Sequence, residues 1–273
     1  MVDAFGRAYR RGVKNGKRGK PGTPGINVLS SFMPKSLVNL LQKYDEECCF
    51  TLTDLERDIQ EKSGVIKQWN SRTFNNQNLL MEKSSSGTEE VSPGRYALLF
   101  KTTRFANDDI ILLPNHANTS GFLCITFQAD GEMEQTLISS YQNPSLPFHE
   151  IEVTRNDITL MCADHSEFIQ HKCHEWTTLF LSYHALLHTT TWNYIINKDP
   201  KMTGSFNTKS IDEAQSACSI GSRFDNSKFL NGKIASFEMY HRKGEEWFPD
   251  PLKQILIGQQ LISKSIKDMD ESV

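Results

Sequence analysis

From Arg95 to Tyr240 the chain repeats one device. Short apolar runs (RYALLFKTTRF, DIILLP, GFLCITFQAD, QTLISSY, HEIEVT, ITLMCAD, WTTLFLSYH and WNYIINKD) are followed by a closing pair, Ala217 to Ile220 and Lys233 to Tyr240. Turn signals separate them: Asp130-Gly131, Asn143-Pro144, Asp199-Pro200 and Asn231-Gly232. Asn-Gly and Asp-Gly tolerate the positive φ that tight reversals need. In the last run Ile234, Ser236, Glu238 and Tyr240 alternate with Ala235, Phe237 and Met239, the period of a strand with one face on a core. No long helical pattern interrupts the series. Many short strands joined by turns predict an all-β protein, antiparallel, in two packed sheets.

Upstream, CFTLTDL from Cys49 reads as the first strand and VIKQW as another. Residues 70–93 are polar, with an apolar island at Leu79-Leu80-Met81, and read as surface loop around a short strand.

The flanks differ in composition. Residues 1–27 carry Arg7, Arg10, Arg11, Lys14, Lys17, Arg18 and Lys20 against Asp3 alone. Gly16, Gly19, Gly22 and Gly25 recur at every third place, as a collagen triple helix requires. Two readings stand: a disordered basic tail, or the stub of a collagenous stalk bearing a homotrimeric head. Within residues 28–44, Leu37, Leu40, Leu41 and Tyr44 line one helical face after Pro34 and Ser36. Residues 45–262 form the sandwich. In its last part Leu252, Ile255, Leu256, Gln259 and Ile262 share a stripe that predicts a short terminal helix capping the sandwich. Residues 263–273 are a polar tail.

Across 273 residues the formal net charge is -3, which argues against nucleic-acid binding by the whole chain. No run approaches the ~20 apolar residues that cross a bilayer. The N-terminus lacks the apolar core of a secretory signal. Cys48, Cys49, Cys124, Cys162, Cys173 and Cys218 are too sparse for a disulfide scaffold, although Cys162 and Cys173 could bridge neighbouring strands.

Four chemistries deserve weighing. Glu150 and Glu152 share a strand face, about 6.5 Å apart along the strand, the nearest match to a glycoside hydrolase pair. No third acid completes the pattern, and the plainer reading is a solvent-facing strand edge. Cys162, His165, His171, Cys173 and His174 supply zinc's ligand types, but not the spacing of a structural zinc module. Asp108, Asp109 and Asp225, with Asn226, offer the hard oxygens that calcium takes, and are equally ordinary turn residues. Nucleophile elbows, phosphate loops and HExxH are missing. One glycosylation sequon, Asn118-Thr119-Ser120, falls in a predicted loop.

Four pieces in order give the sequence a family likeness: His174-Glu175-Trp176 leading into TTLFLSYH, WNYIINKDPKMTGSF, CSIGSRFDNSKFLNGKIASFEMY, and the terminal apolar segment with Gln259-Gln260. Together, over residues 95–262, they resemble the concanavalin A-like jelly-roll superfamily and, within it, laminin G-like and pentraxin-like domains. The resemblance implies a jelly-roll sandwich and a non-catalytic module that binds glycan or extracellular protein through rim loops. It points to Asn197, Asp199, Arg223, Asp225 and Asn226 as ligand-binding candidates. It also implies calcium at Asp108, Asp109 and Asp225, and an extracellular setting. The closing-hairpin disulfide of many laminin G-like domains has no counterpart here, since Cys218 has no cysteine near Gly232.

Overall fold

A computed structural model describes residues 44–52, 54–63, 65–72, 78–83, 87–107, 119–143, 146–162, 165–185, 188–197, 202–209 and 217–242. The expected basic tail, the helix before Tyr44, the terminal helix over 252–262 and the DIILLP strand lie outside these residues.

The described chain is almost entirely antiparallel β structure in two sheets, the expected jelly-roll sandwich. The first sheet contains β1 (Tyr44–Thr51), β5 (Thr88–Ser92), β6 (Arg95–Phe100), β8 (Thr119–Ala129), β13 (Thr177–Ala185), β14 (Thr189–Ile196), β15 (Thr203–Lys209) and β17 (Gly232–Arg242). The second contains β2 (Ile59–Lys62), β3 (Val65–Trp69), β4 (Leu79–Lys83), β7 (Arg104–Asn107), β9 (Gln135–Asn143), β10 (Leu146–Val153), β11 (Asp157–Cys162), β12 (His165–Gln170) and β16 (Ala217–Ile220). The strand order is β15-β14-β13-β8-β17-β6-β5 in one and β12-β11-β10-β9-β16-β7-β4-β3-β2 in the other. The helix described is one turn, α1 (Leu55–Asp58), packed beside β2.

The closing strand organises the first sheet. β17 pairs with β8 from Gly232 to His241. Its other edge is shared: Gly232 to Ile234 pair with β6, and Ser236 to Arg242 pair with β1. The register shifts between Ile234 and Ser236, so a bulge falls at Ala235. This corrects the simple alternation read from the sequence. The extra residue turns Ile234 onto the same side as Phe237 and Met239, and all three are buried in the core.

Other boundaries also move. RYALLFKTTRF is not one strand: it breaks at Lys101 to Thr103, and its halves join different sheets as β6 and β7. Tyr44 opens β1 instead of closing a helix, and β1 starts before Cys49. The polar stretch 70–93 contains β4 and β5.

The core lies between the sheets and is aromatic towards both flanks. On one side Phe50 packs on Trp69 at 5.2 Å and Phe237 at 6.1 Å, and Phe105 meets Phe100 at 5.8 Å. On the other, Trp192 packs on Tyr183 at 5.7 Å and stacks on Phe206 at 6.1 Å, with its indole N–H donating to Thr208 at 3.0 Å. Leu123, Ile125, Leu179, Leu181, Ile151 and Leu160 fill the middle. Each such side chain contributes about 1.5–3 kcal/mol of hydrophobic free energy when buried.

The register also sorts the loops. β17 starts at Gly232 opposite Ala129, where β8 ends and Phe100 closes β6. Gln135 opposite Val153, Asp157 opposite Gln170, and Thr203 opposite Ile195 lie at this same end. The connections 101–103, 130–134, 154–156, 171–176 and 221–231, with Asn197 and Met202, therefore gather on one rim.

Candidate functional site

Two arrangements occupy this rim. The first is a cleft of about 500 Å³ between the β10–β11 turn, the β12–β13 connection and the exit of β14. Asp157, Gln170, Lys172 and Glu175 line it with charged and amide groups, and Ile196 and Met202 give it an apolar patch. Backbone bonds fix its walls. His171 N–H donates to the Asn156 carbonyl at 2.6 Å and Cys173 N–H to that of Arg155 at 3.1 Å, joining two loops. His174, at φ 68°, donates its N–H to the Ala129 carbonyl at 2.8 Å and accepts at its own carbonyl from Gln128 Nε2 at 2.6 Å.

Asn197 closes the cleft at φ 48°, a left-handed conformation that Asn tolerates. Its Oδ1 accepts from Thr178 N–H at 2.7 Å and its Nδ2 donates to the Trp176 carbonyl at 3.4 Å. The predicted ligand-binding Asn197 thus lines the cleft, but uses its amide to hold the wall.

His171 is buried at the cleft wall, beside Thr177. Its ring lies 5.7 Å from Phe127, and Nδ1 sits 3.3 Å from Thr177 Oγ1. Nε2 is buried with no hydrogen-bond partner among the described residues. Burial lowers its pKa to about 4, with Glu175 and Asp157 opposing the shift, so the imidazole is neutral at pH 7.

The second arrangement lies on the outer face of the second sheet, under the 221–231 loop. Glu150 and Glu152 point away from Ile151 and Val153, which face the core. Both carboxylates are buried, and β10 runs between β9 and β11. The expectation of a solvent-facing strand edge is therefore wrong: the loop returns across this face and covers it. Glu150 accepts from Thr136 Oγ1 at 2.9 Å and from Arg223 Nε at 3.1 Å. Burial raises the Glu150 pKa, against the opposing pull of Thr136 and Arg223. Glu152 pairs with Lys228, which also reaches Glu134 at 3.0 Å. Burial opposes the Lys228 charge, but Glu152 and Glu134 outweigh it and raise its pKa. Arg104 anchors the loop, donating to the Phe224 carbonyl at 2.8 Å while lying 4.6 Å over its ring. Gly221, at φ 83°, starts the loop where a Cβ would meet the Phe100 ring at 2.3 Å.

Arg223, Asp225 and Asn226 share this loop, as expected. Arg223 is committed to Glu150. Asp225 Oδ1 accepts from Ser227 N–H at 3.0 Å and from its hydroxyl at 2.5 Å, bonds to Ser227 that lower its pKa. Asn226, at φ 62°, accepts from Arg104 at 3.4 Å. The loop and the cleft lie on the same rim but do not share a pocket. Asp199, Asp108 and Asp109 lie outside the described residues.

The zinc set does not assemble. Cys162 and His165 flank the β11–β12 turn, whereas His171, Cys173 and His174 follow the far end of that hairpin. Among the described residues no three His, Cys, Asp or Glu side chains converge as a metal site would need. The same separation excludes a Cys162–Cys173 bridge, and Cys162, Cys173 and Cys218 are free thiols. Among the described residues no helix is long and apolar enough to cross a membrane.

No protein-family model matches the chain, and no characterised protein matches it in sequence. Solved structures do match in fold. Domain 4 of AbnA, a GH43 extracellular arabinanase from Geobacillus stearothermophilus solved with arabinotriose, aligns with a TM-score of 0.50 at 12% identity, over 80% of this chain and 100% of that one. The binding domain of botulinum neurotoxin DC, solved with rat synaptotagmin II, aligns at 0.45 and 11% identity, over 79% of this chain and 52% of that one. The CBM40 of a Ruminococcus gnavus IT-sialidase bound to α2,3 sialyllactose aligns at 0.40 and 12% identity, over 52% and 84%. The chain thus spans about half the length of the toxin chain. At that identity the likeness to the arabinanase domain concerns the fold alone, a jelly-roll β-sandwich.

Proposed function

We propose that this chain is a non-catalytic recognition module whose cleft beside β12 and β14 takes a glycan. The observation that carries this reading is the cleft's make-up. The pocket holds carboxylate, ammonium and amide groups beside a small apolar patch, and His171 Nε2 at its wall has no partner among the described residues. Sugars present clustered hydroxyls next to C–H faces, and a concave site with a few placed polar groups suits them. The solved structure of like fold that holds arabinotriose accords with the reading. We infer further a laminin G-like module in an extracellular setting, held as a homotrimer by a collagen-like stalk that includes residues 1–27.

The hydrolase alternative using Glu150 and Glu152 is not favoured. A retaining pair needs its carboxylates about 5 Å apart and facing substrate. Here the two are covered by a loop and engaged by Arg223 and Lys228.

The test is a glycan array probed with the full chain, with calcium and with chelator. Binding of a saccharide class that Gln170→Ala and His171→Ala each weaken at least about tenfold supports the cleft. Loss of that binding in chelator would bring Asp225, Asp108 and Asp109 into the site. Capture of protein ligands with no saccharide binding would overturn the glycan reading.

A further inference from the structure

The two sheets bring different chemistry to the cleft. The second contributes Asn156, Asp157 and Gln170, and the first contributes Ile196 and, just before β15, Met202. One side is therefore polar and the other apolar. Asp157 opens β11 and Gln170 closes β12, and the register sets them directly opposite each other. Ile158 and Ile169, the next pair, are buried in the core, so Asp157 and Gln170 share the other face of the strands. Residues so paired hold their Cβ atoms about 4.5–5.5 Å apart.

The backbone around this pair is committed, and its head groups are not. Asp157 N–H donates to Thr154 Oγ1 at 3.1 Å, and the Asp157 carbonyl accepts from Thr154 N–H at 2.8 Å. Next to Gln170, His171 N–H donates to the Asn156 carbonyl at 2.6 Å. Of the two carboxylates that line the cleft, Glu175 pairs with Lys172 at 3.7 Å. The Asp157 carboxylate and the Gln170 amide make no hydrogen bond or ion pair among the described residues.

An ionised carboxylate is an acceptor with two oxygens side by side. It can take two O–H donors at once, and such charge-assisted bonds are about twice as strong as neutral ones. An amide beside it can donate to the oxygen of a hydroxyl that the carboxylate already holds. This set fits hydroxyls on neighbouring ring carbons. A sugar ring carries them on its edge and C–H groups on its face, and Ile196 and Met202 line the same cleft to meet that face.

We propose, on the glycan reading of the cleft, that Asp157 with Gln170 grips the saccharide, and that the cleft selects rings with two free hydroxyls on adjacent carbons. The polar pair then decides which sugars enter, and the apolar side sets how the ring lies.

The probes are the methyl glycosides of galactose, glucose, mannose and arabinose with their monodeoxy forms, read by saturation-transfer NMR on the full chain. At least one glycoside is expected to bind, and two of its deoxy forms, lacking hydroxyls on adjacent carbons, to bind about tenfold or more weaker. Asp157→Asn is expected to weaken the intact glycoside about tenfold and to bring those two deoxy forms within about twofold of it. Deoxy penalties that persist unchanged in Asp157→Asn overturn the proposal and leave the glycan reading standing. So does a penalty at one hydroxyl only, or at two that are not neighbours. Loss of the penalties in Asp199→Asn instead would move the grip to residues 198–201, and also overturns it. If no glycoside binds the unaltered chain the proposal falls, and the glycan array shows whether the glycan reading falls with it. Should Asp157→Asn unfold the chain, Gln170→Met decides. The penalty at one of the two hydroxyls is then expected to shrink about threefold or more, and unchanged penalties at both overturn the proposal.

Discussion

The two sheets bury their outward faces by opposite means. Behind the second sheet the cover is ionic: Glu150 and Glu152 lie under a loop whose Arg223 and Lys228 reach back to meet them. Behind the first it is aromatic: Phe122, Phe180 and Tyr240 form a continuous layer. An ionic cover depends on complete pairing, since a buried charge that loses its partner costs several kcal/mol. An apolar cover depends on area and volume and tolerates changes of detail. The loop over the second sheet is thus tied at fixed points, and the first sheet's face behaves as a second core.

Three measurements bear on this contrast. The largest effect is expected from Phe180→Ala, which should lower unfolding free energy by about 4 kcal/mol, as for a core phenylalanine. A loss under about 0.5 kcal/mol in denaturant titration would mean the face is bare. Next, Arg223→Met leaves Glu150 buried without its cation and should cost about 3 kcal/mol. Adding Glu150→Leu should restore stability to within about 1 kcal/mol of the parent. Failure of that rescue would show that the loop is held by something other than the ion pair.

The smallest effect per group is in acid. His149 and His171 are held neutral by burial, with pKa values of about 3 and about 4. Between the unfolded value near 6.5 and those folded values the unfolded chain binds more protons, so stability falls as pH drops. At pH 5 the loss is about 2 kcal/mol per histidine. Glu150 acts in the other direction, because its raised pKa makes the fold hold a proton more tightly as pH falls. Glu150→Gln should therefore steepen the acid loss, while Phe180→Ala should lower the stability curve and keep its slope. Parallel pH profiles for the parent and Glu150→Gln would contradict this.

Much of the architecture could be read from alternation and turn residues. Ala217 to Ile220 was legible to the residue, because short β runs next to Gly and Asn are strong local signals. The bulge at Ala235 was not, since it is set by register against β8, a partner more than a hundred residues upstream. The break inside RYALLFKTTRF was hidden likewise: both halves are strand-like, and only the change of sheet separates them. At the rim, Asn197 and Arg223 could be picked out by type and place. Their roles could not, because Asn197 serves the backbone of β13 and Arg223 pairs with a residue 73 positions away. The cleft itself was missed. His171 stood out only as one of five clustered zinc candidates, and nothing local says that a hairpin sends Cys162 and His165 elsewhere.

The pairing of Tyr44 with Arg242 has a mechanical consequence. The cleft lies at the end of the molecule where β17 begins, and β1 starts at the opposite end. If a ligand holds the rim while tension enters before Tyr44, the pull runs along β1. The hydrogen bonds between β1 and β17 are then strained together in shear, instead of being peeled apart one after another.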